Sequence, residues 1–301
     1  LAGCAISPLD ASCLLPHALP SITHHDSTTI TLSADLPTDL LPPNSTLEVR
    51  SPWQPPILAA RIATATPAHA SLPPIHMRLA TTRGTNALLE RKGHPPALFI
   101  TQGFADLLDI GDQSRPDLFA LNIIKPAPLH AASIEVTERL AVDGSILTPL
   151  DLDDLRPRAA AALAAGHTTA AVALLHSWIN PAHELAVAAL LRTLGFTHVC
   201  TSADLSPLIG FLPRTQSAVV NAYLSRVVGD YLHGVQTGLG PEGRLLVMTS
   251  AAGLSHPAEF HPKDSLLSGP AGGLLGAADA AHRAGQPRIL TFDMGGTSTD
   301  V

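Results

Sequence analysis

The residues best suited to chemistry lie at the end of the chain. Asp293-Met294-Gly295-Gly296-Thr297-Ser298-Thr299-Asp300-Val301 follows the apolar run Ile289-Leu290-Thr291-Phe292. The pattern predicts a buried strand that delivers an acid into a double glycine, three hydroxyls and a second acid. Glycines let the backbone turn tightly and approach an anion closely. Consecutive amides and hydroxyls then cradle phosphate, which makes Gly295, Gly296, Thr297, Ser298 and Thr299 candidate phosphate binders. Asp293 and Asp300 are the candidate catalytic acids. Asp293 is also the candidate ligand for Mg²⁺, which keeps its waters and takes few protein ligands. A plain hairpin turn with a capping Asp would need only the Gly-Gly, so the full combination favours phosphate.

Ser268-Gly269-Pro270-Ala271-Gly272-Gly273 is a second glycine-rich stretch, placed where a helix begins. Free amides and the positive end of the helix dipole attract anions there. Gly269, Gly272 and Gly273 are therefore candidate nucleotide contacts. Close helix–strand packing explains small residues equally well. Arg83 and Asn86 open another helical segment, and Arg115 precedes Pro116 in a loop. A guanidinium can grip a carboxylate or phosphate with two hydrogen bonds, against the blander reading of solvated surface charge. His176 and His183 have no nearby Cys or third His, so a core or capping role outweighs a metal role. No G-x-S-x-G surrounds Ser177, Ser250 or Ser268, which disfavours a serine hydrolase.

These residues need a scaffold, and the α/β pattern from residue 76 onward supplies it. His76–Ala80, Ala97–Thr101, Ala170–Leu175, Val199–Thr201 and Leu245–Thr249 read as strands. Thr85–Arg91, Val219–Leu232 and Gly272–Ala284 read as helices. Asp153 is expected to cap a helix with Pro157 in its first turn, closed by Gly166. Asn180-Pro181 starts the next helix and Gly195 ends it. Strand, helix, strand in that order implies a right-handed crossover and a parallel pair. Ile134–Val136 and Ile146-Leu147 flank Asp143-Gly144, a hairpin signal. Earlier, Thr28–Leu32 and Ser45–Arg50 alternate like strands in a stretch rich in Pro, Ser and Thr. The expected division is a β-rich segment with a Pro-rich link at 1–75, an α/β domain at 76–200 and the start of a further core at 201–301.

Composition bounds the function. The 301 residues are 46% hydrophobic and 14% charged, which excludes intrinsic disorder. A net charge of -7 disfavours nucleic-acid binding. Ala159–Ile179 carries no Asp, Glu, Lys or Arg, but its Gly166-His167-Thr168-Thr169 centre and many alanines argue against a membrane span. Leu1-Ala2-Gly3-Cys4 resembles a lipoprotein box without the basic and apolar stretch that such a box requires. Cys4, Cys13 and Cys200 fit neither a zinc motif nor a disulfide framework, so all three are expected to be free in a reducing, cytoplasmic setting.

The sequence resembles the hydantoinase A/5-oxoprolinase family. Asp293–Val301 is similar to the second phosphate motif of that family. Thr81-Thr82-Arg83-Gly84-Thr85-Asn86-Ala87-Leu88-Leu89-Glu90-Arg91-Lys92-Gly93 and Asp109-Ile110-Gly111-Asp112-Gln113-Ser114-Arg115-Pro116-Asp117-Leu118 resemble two of its N-terminal segments. Leu175-His176-Ser177, Asn180–Glu184, Val220–Leu224 and Leu267–Gly273 match in order. Three departures stand out. No earlier Asp-x-Gly-Gly-Thr motif occurs before residue 76, the sequence stops inside the hairpin at Val301, and Ala203-Asp204 stands where many relatives carry His-Glu.

The resemblance implies an actin-like (ribonuclease H-like) ATPase fold, here incomplete, with a small β-rich N-terminal module. It implies ATP and Mg²⁺ as cofactors, and ATP-dependent opening of a cyclic amide, foremost 5-oxo-L-proline to L-glutamate. Arg83, Asn86 and Arg115 become substrate candidates. A hydantoinase B-type subunit or fused domain is the implied partner, with an oligomer expected and neither nucleic acid nor membrane involved. A hydantoinase or the ATP-using subunit of a ketone carboxylase is the alternative enzyme, and a non-catalytic nucleotide-binding scaffold the alternative outside enzymes. As an internal fragment lacking one motif, residues 1–301 alone are expected not to turn over ATP.

Overall fold

The computed structural model describes residues 5–8, 22–25, 29–34, 47–67, 70–112, 114, 119, 121–123, 125–294 and 299–301. The chain divides into two compact units, one of residues 1–79 and 231–246, the other of 80–230 and 247–301.

The first unit contains two antiparallel ribbons. β1 (Ala5–Pro8) pairs with β4 (Leu47–Arg50), and β2 (Ile22–His25) pairs with β3 (Ile30–Leu32). Helix α1 (Pro55–Ala63) follows, with its two prolines in the first turn, where a missing N–H costs nothing. The sequence reading did not foresee it, because Pro55-Pro56 looks like a linker. Its Ile57 is buried. A Cβ on Gly238 would come within 2.7 Å of the Ile57 side chain, so glycine permits the contact. The Arg61 guanidinium stacks over Trp53, 4.6 Å from the ring centre. β5 (His76–Leu79) closes this stretch.

The second unit is built on a four-stranded parallel sheet. After α2 (Arg83–Leu89) come β6 (Ala97–Thr101), the one-turn α3 (Leu107–Ile110) and β7 (Ala132–Val136). A hairpin of β8 (Arg139–Leu140) and β9 (Ile146–Thr148) leads to α4 (Leu152–Ala164), β10 (Thr169–Ala173), α5 (Ala182–Leu194) and β11 (His198–Thr201). The spatial order is β11-β10-β6-β7, every pair parallel. The chain order within the sheet is therefore 2-1-3-4, with its topological switch point between β6 and β10.

Alternation along the strands feeds two apolar layers. Ala97 and Phe99 pack with Val172, Leu155, Val187 and Leu191 on the face covered by α4 and α5. Leu98 and Ile100 pack with Ala171, Ala218, Val219 and Ala222 on the other. That second face is covered by the long helix α7 (Phe211–Leu239), which follows the single turn α6 (Ser202–Leu205). The chain continues through β12 (Arg244–Met248), β13 (Leu254–Ser255), α8 (Ser268–Arg283) and the short strands β14 (Asp293–Met294) and β15 (Thr299–Asp300). Among the described residues no helix is long and apolar enough to cross a membrane. The apolar run around Gly166 is a helix end and a strand, and Gly166 takes a φ of 95° to separate them.

Three local expectations are corrected. Ile134–Val136 does not form the hairpin. It pairs in parallel with Phe99–Thr101, and Arg139–Leu140 takes the hairpin position. Helix α4 is capped by Asp151, whose carboxylate accepts the Asp154 N–H at 2.9 Å, so Pro157 falls inside the helix rather than in its first turn. Ile289–Phe292 is no buried strand. It pairs with nothing among the described residues, and Leu290 is 86% exposed. The apolar composition is present, but no strand among the described residues offers the hydrogen bonds that would fix it.

Candidate functional site

β14 and β15 form a two-residue antiparallel ribbon in which Asp293 stands opposite Asp300 and Met294 opposite Thr299. Gly295, Gly296, Thr297 and Ser298, four of the candidate phosphate binders, lie outside the described residues. Asp293 is exposed at the edge of a cleft of about 890 Å³, which Ser250, Leu267, Pro270, Gly273 and Thr291 also line. Among the described residues, no hydrogen bond or ion pair engages the Asp293 carboxylate.

The glycines of α8 divide into two kinds. Ser268 is fully buried, with its Oγ 3.0 Å from the carbonyl oxygens of both Thr81 and Ser265. A Cβ on Gly269 would lie 2.9 Å from Thr82 Cγ2, and one on Gly272 would lie 3.0 Å from Ala80 Cβ. Those two glycines permit close packing of α8 on residues 80–82. Gly273 meets nothing within 4 Å, and it lines the cleft with Asp293.

Arg83 and Asn86 stand on α2, whose first turn packs against the chain just before α8. The Thr85 hydroxyl donates to the Leu266 carbonyl at 2.5 Å, and any side chain at Gly84 would collide with Ser265. Arg83 is exposed and Asn86 half-buried, and neither lines the cleft that holds Asp293. Arg115 lies outside the described residues. The structure thus brings Asp293 and Gly273 together, but not Arg83 or Asn86 with them.

Open space at Gly273 and a carboxylate at the rim suit a phosphate-bearing ligand and its hydrated cation. Among the described residues no three His, Cys, Asp or Glu side chains gather into a metal cage. The exposed Asp293 carboxylate is the kind of group that Mg²⁺ takes beside water and phosphate oxygens.

A second polar assembly sits at the carboxyl ends of the parallel strands, and the sequence reading missed it. Glu184, on α5, accepts hydrogen bonds from Leu174 N at 2.8 Å, Ser177 Oγ at 2.8 Å, Ser202 Oγ at 2.6 Å and Ala203 N at 2.9 Å. Arg214 of α7 lies 3.6 Å from it, fully buried, and bonds Ser177 Oγ, Ser202 Oγ and the Leu174 carbonyl. Burial pushes the Glu184 carboxyl up, against the pull of its four donors. Burial likewise lowers the Arg214 guanidinium, which Glu184 opposes. Beside them, Thr101 donates to Glu138 at 2.5 Å, and the other Glu138 oxygen meets His183 Nδ1 at 2.8 Å. His183 is thus a core histidine, the reading its isolation favoured. The available signal was a charge on an apolar stripe: Glu184 shares its helix face with Val187, Ala188 and Leu191.

Cys200 is a free thiol, and Cys4 and Cys13 lie outside the described residues. Burial pushes the Cys200 thiol up to about 12, which disfavours the reactive thiolate.

Comparison with known proteins gives a consistent result. The family model described as hydantoinase/oxoprolinase N-terminal region matches residues 62–195, and the hydantoinase/oxoprolinase model matches 214–301. The Arabidopsis thaliana protein named 5-oxoprolinase 1 is 39% identical over 248 residues, covering 75% of this chain and 20% of that protein. The crystal structure of an ATP-dependent caprolactamase from Pseudomonas jessenii superposes with a TM-score of 0.66 at 26% identity, covering 93% of this chain and 41% of that one. A nucleotide-free acetone carboxylase structure gives a TM-score of 0.66 at 25% identity over 74% of this chain and 34% of that one. The chain therefore spans about a fifth of the length of the curated relative.

Proposed function

The chain belongs to the hydantoinase/oxoprolinase family, and on that footing we propose that it is part of an ATP-dependent enzyme that opens a cyclic amide, foremost 5-oxo-L-proline to L-glutamate. One observation carries this reading: Asp293 and Gly273 face the same open cleft. We further propose that the α/β scaffold is the start of an actin-like ATPase fold, divided at 1–75, 76–200 and 201–301. The proposed break near residue 200 is supported by the two family models, one ending at 195 and the next beginning at 214.

Asp293 would hold a hydrated Mg²⁺ through its carboxylate. Gly273, with no side chain, leaves room for phosphate where a larger residue would intrude, and the start of α8 turns its positive dipole end toward an anion. When bound, ATP supplies the phosphoryl group that turns an unstrained lactam carbonyl into an electrophile water can attack. Gly295 to Thr299 complete the phosphate contacts in this reading, and Asp300 is the second catalytic acid. Arg83, Asn86 and Arg115 are the groups proposed to hold the substrate carboxylate. A hydantoinase B-type subunit or fused domain completes hydrolysis, in an oligomer in the cytoplasm.

The likeness to acetone carboxylase favours a second reading, the ATP-using subunit of a ketone carboxylase. The deciding experiment is phosphate release by the full-length protein with its partner, comparing 5-oxoproline, hydantoin and acetone. Stimulation by 5-oxoproline supports the first reading and stimulation by acetone the second. Phosphate release that none of the three stimulates removes both.

A further inference from the structure

A second cleft, of about 400 Å³, lies along the outer edge of the parallel sheet. Its walls are β11, the Asn221/Ser225 face of α7 and the segment Ala258–His261, and it shares no lining residue with the cleft at Asp293. Its size is that of a small-ligand site. Among the described residues, Arg192, His198 and His261 are its only lining residues able to carry positive charge, and Asp204 is its only carboxylate.

Several groups in the wall are already engaged. Ser225 donates to the Asn221 carbonyl at 2.7 Å, and Asn221 Oδ1 accepts from Lys263 N at 3.1 Å. The Cys200 thiol donates to the Ala218 carbonyl at 3.3 Å. Thr201 is different. It is only 5% exposed, and its hydroxyl has no partner among the described residues, although it stands at the cap position of α6. The groups available to a ligand are thus mainly donors: Thr201, the two imidazoles, and those guanidinium N–H groups of Arg192 not bonded to the Val199 carbonyl.

We propose that this cleft binds a small oxyanion, a phosphate or carboxylate group, with Thr201 donating to it and Arg192, His198 and His261 countering its charge. Asp204 is exposed at the rim and opposes the anion there, so it limits affinity rather than supplying it. The site is independent of the proposed reaction.

The test is a residue-resolved NMR titration of the 301-residue chain with inorganic phosphate and, separately, with succinate. Saturating shifts centred on Thr201, His198 and His261 are expected. Saturation by phosphate alone assigns a phosphate site, saturation by succinate alone a carboxylate site, and saturation by both the shared chemistry. Thr201→Val, which keeps the side-chain shape, should raise Kd about tenfold, as should Arg192→Gln as an independent variant. Asp204→Asn should lower Kd severalfold. Failure of both anions to saturate at tens of millimolar would overturn the proposal. So would shifts confined to residues 268–273 and 293–300, or an unchanged Kd in both Thr201→Val and Arg192→Gln.

Discussion

Glu184 and Asp293 are both acids set by α/β elements, but they meet opposite surroundings. Glu184 is enclosed at the carboxyl ends of the parallel strands, with four donors and Arg214 answering its charge. Asp293 stands exposed at the rim of a wide cleft, beside a helix whose Leu274 and Leu275 are exposed as well. A carboxylate that the protein itself satisfies acts as structure. One left to solvent at a cleft is available to a ligand. The first region should therefore answer substitution in stability and the second in activity.

The largest effect is expected at the buried pair. Arg214→Met leaves Glu184 enclosed without its counter-charge and should cost about 3–5 kcal/mol. Urea unfolding measures it. Adding Glu184→Leu should restore much of the loss, because both charges are then gone. A single variant that unfolds like the parent would end the distinction between the regions.

Asp293→Asn should do the reverse. In the complete enzyme kcat should fall by a factor on the order of 10², comparable to losing one electrostatic stabiliser. Its thermal melt should stay close to the parent, since Asp293 makes no hydrogen bond to the described residues through its side chain. Steady-state ATPase rates beside a melt decide this. Normal turnover would take Asp293 out of the site.

Two neighbouring glycines sharpen the comparison within α8. Gly272→Ala pushes a methyl toward Ala80 and should cost about 1–3 kcal/mol. Gly273→Ala meets open space and should stabilise the helix by up to about 1 kcal/mol. It should nevertheless weaken nucleotide binding, because the methyl enters the cleft. Paired melts and nucleotide titrations separate the two residues, and equal behaviour would contradict the packing assignment.

The smallest effect belongs to Cys200, whose thiol is pushed from an ordinary 9.0 up to about 12 by burial. The folded state then holds a proton that the unfolded state releases between those values. Stability should therefore fall as pH rises through that window, and the loss should vanish in Cys200→Ala. Urea midpoints across alkaline pH test it.

Much of the scaffold was legible from consecutive residues. Ala97–Thr101 is a continuous apolar run bounded by Pro96 and Gly103, and it is a strand buried on both faces. Gly195 closes α5 with a φ of 110°, and Asn180 Oδ1 accepts the Ala182 N–H at 3.2 Å as the helix starts. Caps, glycine conformations and apolar periodicity are local, so the sequence alone determined where these elements begin and end. The candidate phosphate motif was legible in the same way, as acids and glycines side by side.

Only the tertiary structure decided what pairs with what. Ile134–Val136 could have turned back into a hairpin, but Phe99–Thr101 offers it a parallel partner more than thirty residues away. Ile289–Phe292 has the composition of a strand and, among the described residues, no neighbour to complete one. Glu184 and Arg214, thirty positions apart on different helices, become one buried unit because strand β10 holds Leu174 between them. Gly272 and Gly273 are adjacent and identical in sequence, yet one faces Ala80 and the other an open cleft. Hydrogen-bond pairing and burial depend on what the rest of the chain brings alongside, and no local run of residues contains that information.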